Sequence, residues 1–340
     1  MSKKINIIIP AIRLDAELLK CLKEINKLSY NNFFVTIVLD YKFSKKLPRF
    51  KYKIKKMIVG KTNMSKKRNM AVLKFNSDYI AFIDSDAYPN KNWLKYAIQF
   101  LEDEKSDVVG GPGIPFPKQS YSEKICYLSK RSFFVTGYLN FRKYKAKQRY
   151  CDWLEACNLV MSRKFFLKYG GMDNQRYTGE DSEFFERMRK KNKDLKVFYS
   201  PKLFIYHKER RVFGFFLQRL AFGMDFLNLV KFKAVIDKKK SYFQGLQPFL
   251  PLFTFLFFIF ILVLNINYKT KFFILLSLIF LINAAIFFNI SKYIKSFKTI
   301  FLTLITINLA NIFFALGSII TLTGLIGAIS IITALNYTWR

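Results

Sequence analysis

Asp84 and Asp86 flank a single serine directly after the apolar run Tyr79-Ile80-Ala81-Phe82-Ile83. Two carboxylates set two residues apart at the carboxyl end of a buried strand can hold a divalent cation against a diphosphate. Hard oxygen ligands suit Mg²⁺ or Mn²⁺, which fill their remaining positions with water and phosphate oxygens. D-x-D spacing arises readily by chance, so its weight here comes from its place after a hydrophobic strand. A second acidic group, Gly179-Glu180-Asp181, follows the Gly170-Gly171 turn and opens an amphipathic stretch with Phe184, Phe185 and Met188. Taken alone, it is also what the dipole of a helix N-terminus favours. The single histidine, His207, follows the strand-like Leu203-Phe204-Ile205-Tyr206 and precedes Lys208, Glu209, Arg210 and Arg211. It reads either as a structural residue or as a further metal ligand beside arginines able to hold phosphate.

Elements that can carry these groups alternate along the first 210 residues. Short β-rich runs at Ile5–Ile9, Val35–Leu39, Ile54–Val59 and Tyr79–Ile83 are interleaved with helical patterns at Ala16–Leu28, Lys66–Phe75 and Trp93–Leu101. Such alternation predicts an α/β class with βα units around a mostly parallel sheet. Ligands of open α/β sheets bind outside the carboxyl ends of the strands, so the polar residues directly after those strands are the ones that could reach them.

Taken in order, the groups resemble the family 2 glycosyltransferases, inverting enzymes of the Rossmann-like GT-A fold, across most of residues 5 to 211. Ile7-Ile8-Ile9-Pro10 is similar to the family's first strand and Val38-Leu39-Asp40 to its second. Ser65-Lys66-Lys67-Arg68-Asn69-Met70-Ala71 is similar to the segment ending in Arg-Asn before the D-x-D strand. Gly110-Gly111-Pro112 and Trp153 through Asn158 also match. Gly170-Gly171-Met172-Asp173 followed by Gly179-Glu180-Asp181 looks like the acceptor-side segment with its Glu-Asp pair. The resemblance implies that Asp40 contacts the base of a nucleotide-sugar donor, with Pro10 and Arg13 lining the same pocket and Arg68 near the base or ribose. It implies that Asp84 faces the ribose or the metal, that Asp86 binds a divalent cation (Mn²⁺ or Mg²⁺), and that His207 is a further ligand. Asp181 is then the general base for the acceptor hydroxyl, with Glu180 beside it. Two departures stand out. Asp40-Tyr41-Lys42-Phe43 lacks the second Asp and small turn usual after the second strand, and Gln218-Arg219-Leu220 does not match the Gln-x-x-Arg-Trp of processive synthases, which points to single additions.

Composition changes abruptly near residue 245. All 23 acidic residues, and all but six of the 57 Lys and Arg, precede Gln244, so the formal net charge of +34 is concentrated there. A face that basic seeks phosphate, in an anionic leaflet, a phosphorylated substrate or nucleic acid. Beyond it come apolar runs at about 245–264, 272–290 and 300 onward, each reaching the roughly 20 residues that cross a bilayer. Gly317, Gly324 and Gly327 could break the last into two. The expected domains are a catalytic GT-A domain at 1–211, an interfacial amphipathic segment at 212–243, and a transmembrane region at 244–340 of three helices, or four. The segment Val212–Val230 reads as a helix lying on the membrane surface, with a core helix as the plainer alternative. The opening apolar run Ile5 to Ile9 is too short for a signal-peptide core, so the basic domain is expected in the cytoplasm of a multi-pass plasma-membrane protein, and the positive-inside rule agrees with three spans. The expected partners are therefore a nucleotide-sugar donor, a lipid-linked or cell-envelope glycan acceptor of polysaccharide biosynthesis, and the membrane.

A composition 51% hydrophobic excludes disorder, and Cys21, Cys126, Cys151 and Cys157 form neither a zinc spacing nor a disulfide framework. No nucleic-acid partner is expected, because the basic residues are dispersed and no recognition motif accompanies them. Transport is disfavoured by apolar runs without acids. A tethered binding protein that has lost catalysis is the remaining alternative.

Overall fold

A computed structural model describes residues 2–43, 47–176, 178–225 and 250–322. The second part of the expected interfacial segment, and the stretch beyond 322 where a fourth span was expected, lie outside the described residues. The chain divides into two compact units, one of Met1–Phe116 with Phe141–Lys208, the other of Pro117–Asn140 with the chain from Glu209 onward.

The first unit is built on an eight-stranded sheet. Its first half consists of β1 (Ile5–Pro10), β2 (Phe33–Leu39), β3 (Lys53–Ile58) and β4 (Tyr79–Ile83), all mutually parallel where they pair, in the order β3-β2-β1-β4. β1 and β2 are buried at every position, which is why they read as unbroken apolar runs. α1 (Ala16–Ile25) starts where the Asp15 carboxylate accepts from Leu18 N–H at 2.9 Å, and packs Leu18, Cys21, Leu22 and Ile25 into the core with Ile5, Ile7 and Val35. Edge strand β3 carries Lys53, Lys55 and Lys56, charges that discourage edge-to-edge pairing. Lys55 lies over the rings of Phe34 and Phe75.

The other half of the sheet breaks the simple alternation. β9 (Asn158–Ser162) runs antiparallel between β4 and β6 (Val108–Gly110); β10 (Val197–Tyr199) lies parallel to β6, and the short β8 (Arg149–Tyr150) closes that edge. The sheet is therefore mixed, with its parallel half as expected. A small second sheet joins β5 (Ala87–Pro89), β11 (Ile205–His207) and β7 (Gly113–Pro115), with His207 opposite Ala87. The first unit also holds the helices α2 (Met64–Lys74), α3 (Trp93–Glu102), α6 (Arg163–Lys168) and α7 (Glu180–Lys191), while α4 (Tyr121–Arg131) and α5 (Phe133–Thr136) belong to the second.

In the second unit, α4 opens with a capping box between Ser120 and Glu123, and α8 (Val212–Met224) buries Phe215, Phe216 and Met224. Three apolar helices follow, at Leu250–Val263, Tyr268–Ser291 and Phe297–Leu322. The last two are long and apolar enough to cross a membrane; the first covers 14 described residues. α8 lies against the last helix through two glycines that admit each other's backbones. A Cβ on Gly223 would fall 2.0 Å from the Phe314 carbonyl oxygen, and one on Gly317 would fall 2.1 Å from that of Leu220. Thus the described part of the segment expected to lie on the membrane surface is a helix packed by its glycine face on another helix. The expected boundary at 211 also omits α4, which joins this unit because Tyr121 Oη reaches Thr299 Oγ1 at 3.1 Å and Tyr293 Oη donates to the Leu128 carbonyl at 3.2 Å.

Candidate active site

The parallel order β3-β2-β1-β4 sets the carboxyl ends of β1, β2 and β4 side by side, with the connection direction reversing beside β1, the place where such sheets bind ligands. β4 ends at Ile83, so Asp84 begins the turn into β5. Ala87 N–H donates to the Asp84 carbonyl at 3.1 Å, and the antiparallel pairing of β5 with β11 draws His207 to the same turn. There one ligand atom each from Asp84, Asp86 and His207 lies within 4.8 Å of the others. His207 Nε2 stands 3.8 Å from Asp84 Oδ2 and 3.7 Å from Asp86 Oδ1.

The histidine's orientation is held from behind. Its Nδ1 is 2.8 Å from the Lys208 carbonyl oxygen, which can only accept, so Nδ1 carries the proton. In the neutral ring Nε2 then presents a lone pair to two carboxylates, an arrangement relieved by a cation among the three. A carbonyl behind one imidazole nitrogen and the other turned to carboxylates is the outer-shell pattern of a metal-binding histidine. Two oxygens and one nitrogen fit Mn²⁺ or Mg²⁺, with open positions left for phosphate oxygens.

Arg68, on α2, joins this turn to the second acidic group. It is 1% exposed and lies over the Phe82 ring; one terminal nitrogen is 2.8 Å from Asp84 Oδ1 and the other 3.3 Å from Glu180 Oε1. Burial disfavours its charge, but Asp84 and Glu180 outweigh that and raise its pKa. Glu180 and Asp181 are the first residues of α7, whose entry is fixed by α2. Asn69 donates to the Met172 carbonyl at 2.6 Å and to Asn174 Oδ1 at 2.8 Å, and its own oxygen accepts from Met172 N–H at 2.9 Å. Gly171 sits against that amide with φ +70°, where a Cβ would lie 2.6 Å from Asn69 Oδ1.

Asp181 accepts from Ser182 N–H at 2.9 Å and from Ala156 N–H at 3.3 Å. Burial, with Glu180 and Glu155 nearby, pushes its carboxyl up to about 7, against the opposing pull of Arg142 and the Ser182 amide. Beside it, Glu155 takes Lys143 Nζ on both oxygens, at 2.6 and 2.9 Å. Burial pushes the Glu155 carboxyl up, but Lys143 and Arg142 prevail and hold it at about 2. Cys157, close by, has its thiol pushed well up by burial and remains protonated, which removes it as a nucleophile.

The remaining expected site residues stand apart from this cluster. Pro10 is the buried last residue of β1, and Arg13 is exposed in the turn before α1. Asp40 does not present an open carboxylate. Its Oδ1 lies 2.6 Å from Lys67 Nζ, both side chains are fully buried, and Lys67 also donates to the Ala11 carbonyl at 2.7 Å. The physical reason is the ammonium group that α2 inserts between the ends of β1 and β2. Arg68, expected near the base or ribose, is engaged by the carboxylates of Asp84 and Glu180. Sequence reading missed Lys67, Glu155, Arg142 and Lys143, since a cationic run such as Arg142-Lys143-Tyr144-Lys145 reads as a solvated face. Glu155 lies within the recognised stretch Trp153–Asn158, whose acid could have been singled out.

Residues 6–170 match the family model described as glycosyl transferase family 2. Among solved structures, the chain is similar to that of S. aureus TarS, with 17% identity and a TM-score of 0.44 over 65% of this chain and 40% of that one. It is also similar to GalNAc-T7 solved with UDP, GalNAc and Mn²⁺, with 11% identity and a TM-score of 0.45 over 62% of this chain and 44% of that one. The chain thus spans less than half the length of either. No curated protein matches it in sequence.

Proposed function

We propose that this chain, a family 2 glycosyltransferase by the match over residues 6–170, is membrane-anchored and moves a sugar from a nucleotide-diphosphate donor to a hydroxyl of a lipid-linked or cell-envelope glycan, with inversion. Asp84, Asp86 and His207 hold a divalent cation, Mn²⁺ or Mg²⁺, which when bound neutralises the departing diphosphate. Asp181 takes the proton from the attacking hydroxyl. Glu180 and Arg68 fix Asp181 relative to the Asp84 turn, so that base and leaving group stand on opposite sides of the sugar. Pro10 and Arg13 line the nucleotide side, and the covered Asp40–Lys67 pair shapes it from beneath.

The observation that carries this reading is the Arg68 bridge. One buried guanidinium spans Asp84 and Glu180, so the cation site and the base-bearing helix end are parts of one hydrogen-bonded assembly. A carboxyl that titrates at about 7 is also matched to general-base work near neutral pH.

Membrane attachment rests on the helices at 268–291 and 297–322. Phe280 is 71% exposed and Phe297 76%, within faces that also expose Phe272, Leu276, Leu281 and Phe301, the kind of exposed apolar surface that suits a lipid environment. We place the first unit on the cytoplasmic side, where nucleotide sugars are made and where its basic surface meets anionic headgroups.

The test is thermal stabilisation of the detergent-purified chain by UDP-, GDP-, dTDP- and CMP-sugars, with and without Mn²⁺. A ligand that binds the native state raises its melting temperature. A metal-dependent rise with one donor, absent in Asp86→Ala, is expected. Absence of any rise across the panel removes the nucleotide-sugar reading. Once a donor and acceptor are found, Asp181→Asn is expected to lower kcat by about 10²–10⁴-fold with donor binding intact.

A further inference from the structure

Asp181 has cations within reach, and what they do depends on a residue the reaction scheme does not use. In the first unit, the segment after Phe141 carries Arg142 and Lys143, and the loop entering β9 carries Trp153, Glu155 and Ala156. That loop touches the base directly, through the bond from Ala156 N–H to Asp181 Oδ2. Glu155, one residue earlier, is gripped by Lys143 on both oxygens, with a second cation, the Arg142 guanidinium, 3.9 Å from Oε1. Arg142 in turn lies flat on the Trp153 ring, 3.8 Å from its centroid, and is itself nearly buried. One short loop therefore supplies the carboxylate that takes the lysine, the aromatic face that takes the arginine, and the amide that takes the base.

We propose that Glu155 is a positioning residue for the general base: its two-oxygen ion pair with Lys143, beside the Arg142–Trp153 stack, sets how much of the positive charge near Asp181 is balanced. The inference rests on the reading of Asp181 as the base. The charged and polar groups that face Asp181 are Glu180 on its own helix, Arg68 from α2 by way of Glu180, Arg142 from the segment after Phe141, Glu155 from the loop, and the Ser182 and Ala156 amides, with Lys143 reaching it by way of Glu155. Glu180 is already committed to Arg68. Beyond burial and Glu180, the balance at Asp181 is set by Arg142 and Glu155. Removing the Glu155 charge takes a repelling carboxylate away and leaves the two cations near Asp181 unbalanced; removing Lys143 leaves Glu155 uncompensated beside it. The two substitutions must therefore act in opposite directions, which loss of fold or a general loosening of the site does not produce.

The measurement is an infrared pH titration of the full-length, detergent-purified chain, following the carboxylic-acid carbonyl band that Asp181→Asn abolishes. It needs neither donor nor acceptor. In the wild-type chain the band is expected to fade near neutral pH. In Glu155→Gln its midpoint is expected to fall by about one unit, and in Lys143→Met to rise by a similar amount. Thermal melting of each variant checks that it is folded. Midpoints unmoved in both variants, or moved the same way, overturn the role given to Glu155 while leaving Asp181 as the base. A wild-type chain without a neutral-range band lost in Asp181→Asn removes the poised base itself and the inference with it.

Discussion

Asp181 makes a prediction of its own at the scale of the residue. Its carboxyl titrates at about 7 in the folded chain, against an ordinary Asp value near 4, so the folded state favours the protonated form. The stability it contributes is complete below the unfolded value and is lost as pH rises through about 7. Asp181→Asn, which is always neutral, should therefore melt higher than wild type by a margin that grows between about pH 4 and pH 7 and then levels off. A constant margin across that range would contradict it. The sequence sets Asp84, Asp86 and His207 at or just after strands, and in the fold the three meet at one turn. It did not reveal their partners. Arg68 and Asp40, expected beside the nucleotide, each pair with an opposite charge that arrives from elsewhere in the chain. Pairings of that kind depend on how α2 lies across the sheet, which no local pattern encodes.

At the scale of elements, the periodicity was informative wherever it was sustained. The strands β1, β2 and β4 and the helices α1 to α3 fall within a few residues of their expected ranges, because buried parallel strands are continuous apolar runs and amphipathic helices carry a stripe. The antiparallel insertion of β9 and the two- and three-residue strands β5 to β8, β10 and β11 were not legible, since such lengths carry no period. Two glycines give tests at this scale. Gly171→Ala combines a positive φ with a Cβ set against Asn69, and should cost about 1–3 kcal/mol while freeing the entry to α7. A melting temperature equal to wild type would count against that account. Gly223→Val drives a side chain into the Phe314 backbone and should destabilise the second unit by about 1–3 kcal/mol, read as a lower melting temperature in detergent.

For the whole molecule, the break in composition near residue 245 correctly marked the long apolar helices, and two of them have spanning length. Alkaline carbonate washing of membranes should leave the chain in the pellet; release into the supernatant would count against integral attachment. The feature with no trace in composition is the assignment of Pro117–Asn140 to the helical unit, because α4 is an ordinary amphipathic helix in sequence. That assignment bears on how the chain is made. Tyr121 and its partner Thr299 are 178 residues apart. At ribosomal speeds of about 5–20 residues per second, α4 leaves the tunnel roughly ten to thirty-five seconds before that partner exists. Its inner face, including Cys126 and Leu128, packs in part on residues made long after it, among them Ile286 and Ile307. The described helical unit can therefore close only after residue 299 has been made.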